Sequence, residues 1–184
     1  SSNLFQSISF ANYAELQTTS FWTWVWNTLL IGGITAIGAV FMGACAAYAF
    51  SRFRFKGRRT SLTTLHIIQM FPQTVAFVAV FSLLIALGNV VPALGIDSKL
   101  ALICVYLGGA LGANAFLMYG FFNSVPIDID ESAKIDGATH AQTFYRLILP
   151  LVTPILAVVA LLAFIAAFGD FILARIILTS EDNW

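Results

Sequence analysis

The fold class that this sequence predicts is an all-α, polytopic bundle of transmembrane helices, and three observations predict it. Of the 184 residues, 59% are hydrophobic and only 10% are charged, whereas soluble domains carry about a quarter charged residues. The mean hydropathy is +0.88. The charges are also spaced to leave long apolar intervals, and a bilayer core of about 30 Å needs roughly 20 apolar helical residues to cross it. Nine basic and nine acidic residues cancel, so net charge gives no reason to expect a nucleic acid as partner. The positions of the charges carry the information instead.

Those positions define the elements in order. Glu15 to Arg52 encloses 36 uncharged residues, Arg59 to Asp97 encloses 37, Lys99 to Asp128 encloses 28 and Arg146 to Asp170 encloses 23. Four spans are therefore expected near residues 22–50, 62–87, 100–125 and 151–178, the last interrupted at its outer end by Asp170 and Arg175. The stretch "SRFRFKGRR" holds Arg52, Arg54, Lys56, Arg58 and Arg59, five of the nine basic residues, in one short loop. Such a loop belongs in the cytoplasm. Reading it as a nucleic-acid or lipid-head-group patch adds nothing that this anchoring role leaves unexplained. Two spans further on, residues 126–150 return to the cytoplasm. The N-terminal stretch, "GNVVPALGIDS" and "TSEDNW" are then outside, with Trp22, Trp24 and Trp26 in an outer aromatic belt. Cys45 and Cys104 fall within spans, as small apolar residues. With no initiator Met and a bare polar tail, the chain is expected to be the core of a longer protein, a single transmembrane domain that fills residues 1–184.

Residues 126–150, "PIDIDESAKIDGATHAQTFYRLILP", are the one long polar stretch between apolar runs. Pro126 with Asp128, Asp130 and Glu131 suits the first turn of a helix, where free N–H groups and the macrodipole favour negative charge. Gly137 tolerates the left-handed conformation that ends a helix. Thr139 followed by Gln142 is a capping-box pattern that starts another. In that second helix Phe144, Leu147, Ile148 and Leu151 form an apolar stripe, and in the first, Ala133 and Gly137 make a small-residue face. Two helices meeting at an elbow form either a docking surface or an ordinary solvated connection.

The spacing resembles the EAA motif of binding-protein-dependent ABC importer permeases: Glu131, Ser132 and Ala133, then Gly137, then Leu147, Leu149 and Pro150. Ser132 replaces the usual second alanine and Leu147 the usual isoleucine. The blocks "NYAELQTTSFWTWVWNTLL", "AAYAFSRFRFKGRR", "QMFP" and "FIAAFGDFILARIILTSEDNW" are similar to the sugar-importer subgroup, most of all to the MalG-type permeases of maltose/maltodextrin importers. The resemblance covers about residues 10–184. It implies a type I importer transmembrane domain in a bacterial or archaeal cytoplasmic membrane, with more spans in the full chain. The partners it implies are a second homologous permease, two ABC ATPase subunits, an extracytoplasmic solute-binding protein and a sugar solute. By the same resemblance, residues 126–150 are the coupling loop, in which Glu131, Ser132, Ala133, Asp136, Gly137 and Pro150 engage the ATPase. ATP and Mg belong to that partner, because no G-x-x-x-x-G-K-[ST] phosphate loop occurs here. This chain is expected to bind no cofactor or metal and to carry no catalytic residue, since H-E-x-x-H and G-x-S-x-G are also absent.

Polar residues within spans are candidates for a solute pathway, because polar groups in lipid turn toward protein or water. His66, Gln69 and Gln73 stand at i, i+3 and i+7 on the second predicted span, beside Pro72; Asn114 and Tyr119 lie on the third. Interhelical hydrogen bonding is the other reading for all five. Asp170 and Arg175 are expected to form an outer-end ion pair or gate contact. The repeats Ala39, Gly43, Ala47 and Gly108, Gly112 permit close helix crossings. A secondary carrier is disfavoured because no acid lies at mid-span, and a non-transporting membrane scaffold is the remaining alternative.

Overall fold

The computed structural model describes residues 19–180, with residues 73 and 74 described through their backbone alone. The N-terminal stretch, the end of "TSEDNW" and the side chain of Gln73 lie outside the described residues. Among the described residues eight α-helical segments follow one another: α1 Phe21–Arg52, α2 Arg58–Gln69, α3 Gln73–Gly88, α4 Lys99–Ser124, α5 Asp128–Ile135, α6 His140–Leu151, α7 Thr153–Gly169 and α8 Phe171–Ile177. No strand occurs among the described residues.

α1 and α4 are each long and apolar enough to cross a membrane, and α6 with α7 meets that standard only as a pair bent by 78°. The second expected span is not one helix. α2 stops at Gln69, residues 70–72 form a turn, and α3 starts after Pro72 in extended conformation (φ −60°, ψ 117°). Proline lacks the N–H that would continue the ladder and pushes its predecessor out of helical conformation. The fourth expected span is also divided, because Asp170 (φ −85°, ψ 94°) separates α7 from α8. Its carboxylate Oδ1 accepts from the Leu173 N–H at 3.0 Å, which starts the new helix.

Small residues set how the helices cross. Ala39, Gly43 and Ala47 are all buried on one face of α1, and a Cβ on Gly43 would stand 3.2 Å from Met118 Sδ and 3.3 Å from Asn114 Cβ on α4. The expected close crossing is therefore present. Without a hydrophobic drive between helices in lipid, such close approach supplies the packing attraction. Gly112 does similar work differently: the Gln69 amide from α2 occupies the space a side chain would need, while nothing approaches Gly108. The outside of the bundle is apolar, with Ile37, Val78, Leu161 and Phe168 all exposed. Trp22 and Trp26 are exposed at the start of α1, where the outer belt was expected.

The two ends of the bundle are closed by different devices. At one end Asp97 (φ 67°) turns the connection before α4. Its Oδ1 accepts from the N–H groups of Thr179 and Ser180 at 3.0 and 2.9 Å, and its Oδ2 from the Ser180 hydroxyl at 2.6 Å. The Asp97 N–H donates to the Ile177 carbonyl at 2.8 Å. Two segments expected on the same outer side are thus bound together. At the other end the basic loop meets residues 126–150.

Candidate functional site

α5 begins with Asp128, Asp130 and Glu131 in its first turn and ends at Ile135, with Asp136 as its C-cap. Gly137 follows at φ 78°. Its N–H donates to the Lys134 carbonyl at 3.0 Å, and the Ala138 N–H to the Ala133 carbonyl at 2.9 Å. This pair of bonds is a Schellman stop, which requires a left-handed residue where glycine stands. Thr139 then caps α6. Its hydroxyl accepts from the Gln142 N–H at 3.3 Å, and the Gln142 Oε1 accepts from the Thr139 N–H at 2.8 Å. The elbow read from the sequence is present with both of its caps.

The elbow has two faces. Asp130 and Ala133, three residues apart, are buried against the bundle, while Glu131, Ser132, Lys134, Ile135, Asp136 and Gly137 are exposed. Ala133 therefore serves packing inside this chain, on the face opposite the one where docking was expected. Ile135, which the sequence reading passed over, is 87% exposed on the outward face. A large apolar side chain so placed, ringed by charge, has the character of an interface anchor. Only its position beside the acidic residues could have marked it in the sequence.

Along α6 the buried residues are Thr143, Phe144 and Ile148, followed by Val152 at the joint, while Leu147 and Leu151 are exposed. The expected stripe is altered because residues Phe144–Ile148 form a π turn. Its i→i+5 bonding widens the turn, which keeps residues four apart on one face and turns Leu147 and Leu151 outward. Pro150 is exposed just before the bend into α7.

The end of α1 holds both arms of this elbow. Arg52 Nε lies 2.9 Å from Asp130 Oδ2, with both side chains more than nine-tenths buried. Arg52 Nη2 also donates to the Val125 carbonyl at the end of α4, at 2.9 Å, and the Tyr48 hydroxyl donates to Asp130 Oδ1 at 3.5 Å. The Tyr48 ring lies 4.8 Å from that of Phe144 on α6, and Phe53 meets His140 edge-on at 5.2 Å. In the sequence Arg52 reads as one of five loop charges and Asp130 as a first-turn acid. Their separation along the chain hides the contact from any local pattern.

The expected pathway residues do not form one stripe. His66 and Gln69 end α2, where His66 packs on Phe116 at 5.0 Å and Gln69 over Gly112. The break at Pro72 puts Gln73 on a different helix. The Tyr119 hydroxyl accepts from Arg58 Nη2 at 2.9 Å, near the basic loop. Asn114 is buried and lines a cavity of about 560 Å³ between α1, α3, α4 and α7, along with Thr35. Thr35 Oγ1 and Asn114 Nδ2 have no hydrogen-bond partner among the described residues. Asp170 and Arg175 both line a smaller cavity of about 240 Å³ with Trp24 and Asn27, where Asp170 acts as the cap of α8. No cluster of three or more His, Cys, Asp or Glu suited to a metal ion occurs among the described residues.

Comparison with known proteins places these features in a family. A family model described as "binding-protein-dependent transport system inner membrane component" matches residues 38–182. The chain is 41% identical over 162 residues to the maltose/maltodextrin transport system permease protein MalG of Vibrio parahaemolyticus, covering 88% of this chain and 54% of that protein. It is equally, 41%, identical over 180 residues to the galactooligosaccharides transport system permease protein GanQ of Bacillus subtilis, covering 96% and 62%. The MalG protein of Escherichia coli is 38% identical over 161 residues, covering 88% and 54%. Among solved structures, a bacterial ABC transporter involved in the import of the acidic polysaccharide alginate superposes with a TM-score of 0.84 at 25% identity, covering 96% of this chain and 60% of the matched one. The chain thus spans between half and two thirds of the length of these relatives.

Proposed function

The chain belongs to the family of binding-protein-dependent transport system inner membrane components, and from that premise we propose that it is a permease subunit of an ATP-driven sugar importer, coupled to a separate ATPase through the elbow at residues 126–150. It forms half of a multi-pass pathway in a bacterial or archaeal cytoplasmic membrane, completed by a second, homologous permease. Two ATPase subunits, with their ATP and Mg, and an extracytoplasmic solute-binding protein complete the assembly. The solute is a di- or oligosaccharide, and maltose or maltodextrin is the first to test, since several similar relatives carry that name.

The observation that carries this reading is the elbow. It is stopped by a left-handed Gly137, restarted by a complete capping box, and turns Glu131, Lys134, Ile135 and Asp136 outward around one apolar anchor. The caps alone occur in ordinary connections as well; the exposed apolar Ile135 among charged neighbours is what favours a docking surface. The test is to express the full-length permease with its neighbouring ATPase and recover both in detergent. Ile135→Asp should leave the permease at normal level and reduce recovered ATPase by roughly tenfold, a loss typical of an interface anchor. Unchanged recovery, or sugar uptake driven by protons or sodium with no ATPase present, would contradict the reading.

A further inference from the structure

We propose that Arg52 and Asp130 are positioning residues that lock the elbow to α1, so that α1 moves with the elbow while the joint between α6 and α7 flexes. The proposal rests on the coupling role given above to the elbow and adds which transmembrane helix it drives.

Within the eight residues of α5, Asp130 and Ala133 are buried and Ile129 packs partly buried against the core cluster of Tyr48, Phe122 and Phe144. The ion pair is the polar attachment beside that packing, and it is reinforced from two other elements. The same guanidinium holds the Val125 carbonyl of the α4 terminus, and Tyr48, one turn earlier on α1, reaches both Asp130 and the ring of Phe144. Both arms of the elbow thus bear on one end of α1.

The chemistry of the contact also favours orientation over simple adhesion. A buried ion pair is often no more stabilising than apolar side chains of similar volume, because removing two charges from water opposes the gain. Direction comes from the bonds around the pair: Arg52 Nε and Asp130 Oδ2 are in ionic contact without hydrogen-bond geometry, while the same planar guanidinium donates to the Val125 carbonyl and the Tyr48 hydroxyl donates to Asp130 Oδ1. The far side of the elbow is built differently. α6 passes into α7 through a 78° bend at Val152, flanked by Pro150 and Pro154. Prolines remove backbone bonds from a helix junction, so this joint has fewer bonds to resist a change of angle. A push on the elbow meets a fixed end at α1 and a bent, proline-flanked end at α7.

The test uses the full-length permease with its partner permease, ATPase and binding protein in proteoliposomes, and measures sugar imported per ATP hydrolysed. Arg52→Gln or Asp130→Asn alone leaves a buried charge unpaired and should lower the amount of assembled complex. The double variant Arg52→Gln/Asp130→Asn removes both charges and should restore the amount and keep the ATPase bound. Its sugar-to-ATP ratio should still fall, by roughly threefold or more, the size of effect that coupling mutations produce. A double variant with the unsubstituted ratio would overturn the proposal. So would one that stays as scarce as the single variants, since the pair would then be a folding element only. Failure of the unsubstituted permease to retain any ATPase would instead overturn the importer reading, and the control without substitutions tells the two failures apart.

Discussion

Gly137 stands at φ 78° with no atom within 4 Å of the position a Cβ would take. Space is thus free there and only backbone conformation is restrictive. That separates two substitutions that crowding would treat alike. Asparagine visits the left-handed region readily, while a β-branched residue does so at considerable strain, about 1–2 kcal/mol. Gly137→Asn should therefore keep both Schellman bonds, ATPase recovery and sugar uptake near normal. Gly137→Val should unwind the end of α5 and lose most uptake while the protein still inserts in the membrane. Uptake assays on the full-length protein, with membrane abundance measured alongside, decide it. If valine is as active as asparagine, the left-handed turn is dispensable. At this scale the sequence was informative because caps are local: glycine after the last turn and Thr139 with Gln142 act on backbone groups within a few residues. The partner of Asp130 was out of reach for the opposite reason, since nothing near Asp130 in the chain points to Arg52.

At the end of the bundle expected outside, Asp97 ties the connection before α4 to the end of α8 by three side-chain bonds. Hydrogen bonds to a charged group contribute about 1.5–3 kcal/mol each when buried, and less where the group is partly exposed, as here. Asp97→Ala removes all three acceptor bonds and also places alanine at φ 67°. Asp97→Asn keeps one acceptor oxygen and a residue that tolerates this conformation. In thermal melts of the full-length protein in detergent, alanine should lower the midpoint clearly more than asparagine; equal midpoints would mean the link carries no stability. The same scale shows why some elements were misjudged. Intervals between charges measure how much apolar chain is available but not whether it stays helical, so Pro72 and the cap made by Asp170 divided two expected spans. The π turn at Phe144–Ile148 shifted a stripe that ordinary helical spacing placed on Leu147 and Leu151. α1 and α4, free of proline, matched their intervals closely.

Across the whole molecule, contacts at the two ends constrain topology more firmly than helix lengths do. The basic loop and the elbow share one end, through Arg52 with Asp130 and Phe53 with His140. The connection before α4 and the end of α8 share the other, through Asp97. α2 starts beside the basic loop, where Arg58 reaches Tyr119 near the end of α4. α3 ends with Gly88 against Gly95, close to Asp97 in the chain. The chain therefore travels from one end to the other through α2 and α3 in series, although neither helix alone is long enough to cross. This path fits the proposal of four passages, with the five basic residues of the loop on the cytoplasmic side. Single cysteines at Ser61, Ala141 and Thr179, all exposed, test this in a full-length protein whose Cys45 and Cys104 have been replaced. In sealed cells a membrane-impermeant thiol reagent should label position 179 from outside and reach 61 and 141 only after the membrane is opened. Labelling of 61 but not 141 from outside would separate the basic loop from the elbow and break the pairing of ends. Labelling of both 61 and 141 with 179 protected would keep the pairing and invert the orientation, leaving the elbow on the wrong side of the membrane for a cytoplasmic ATPase.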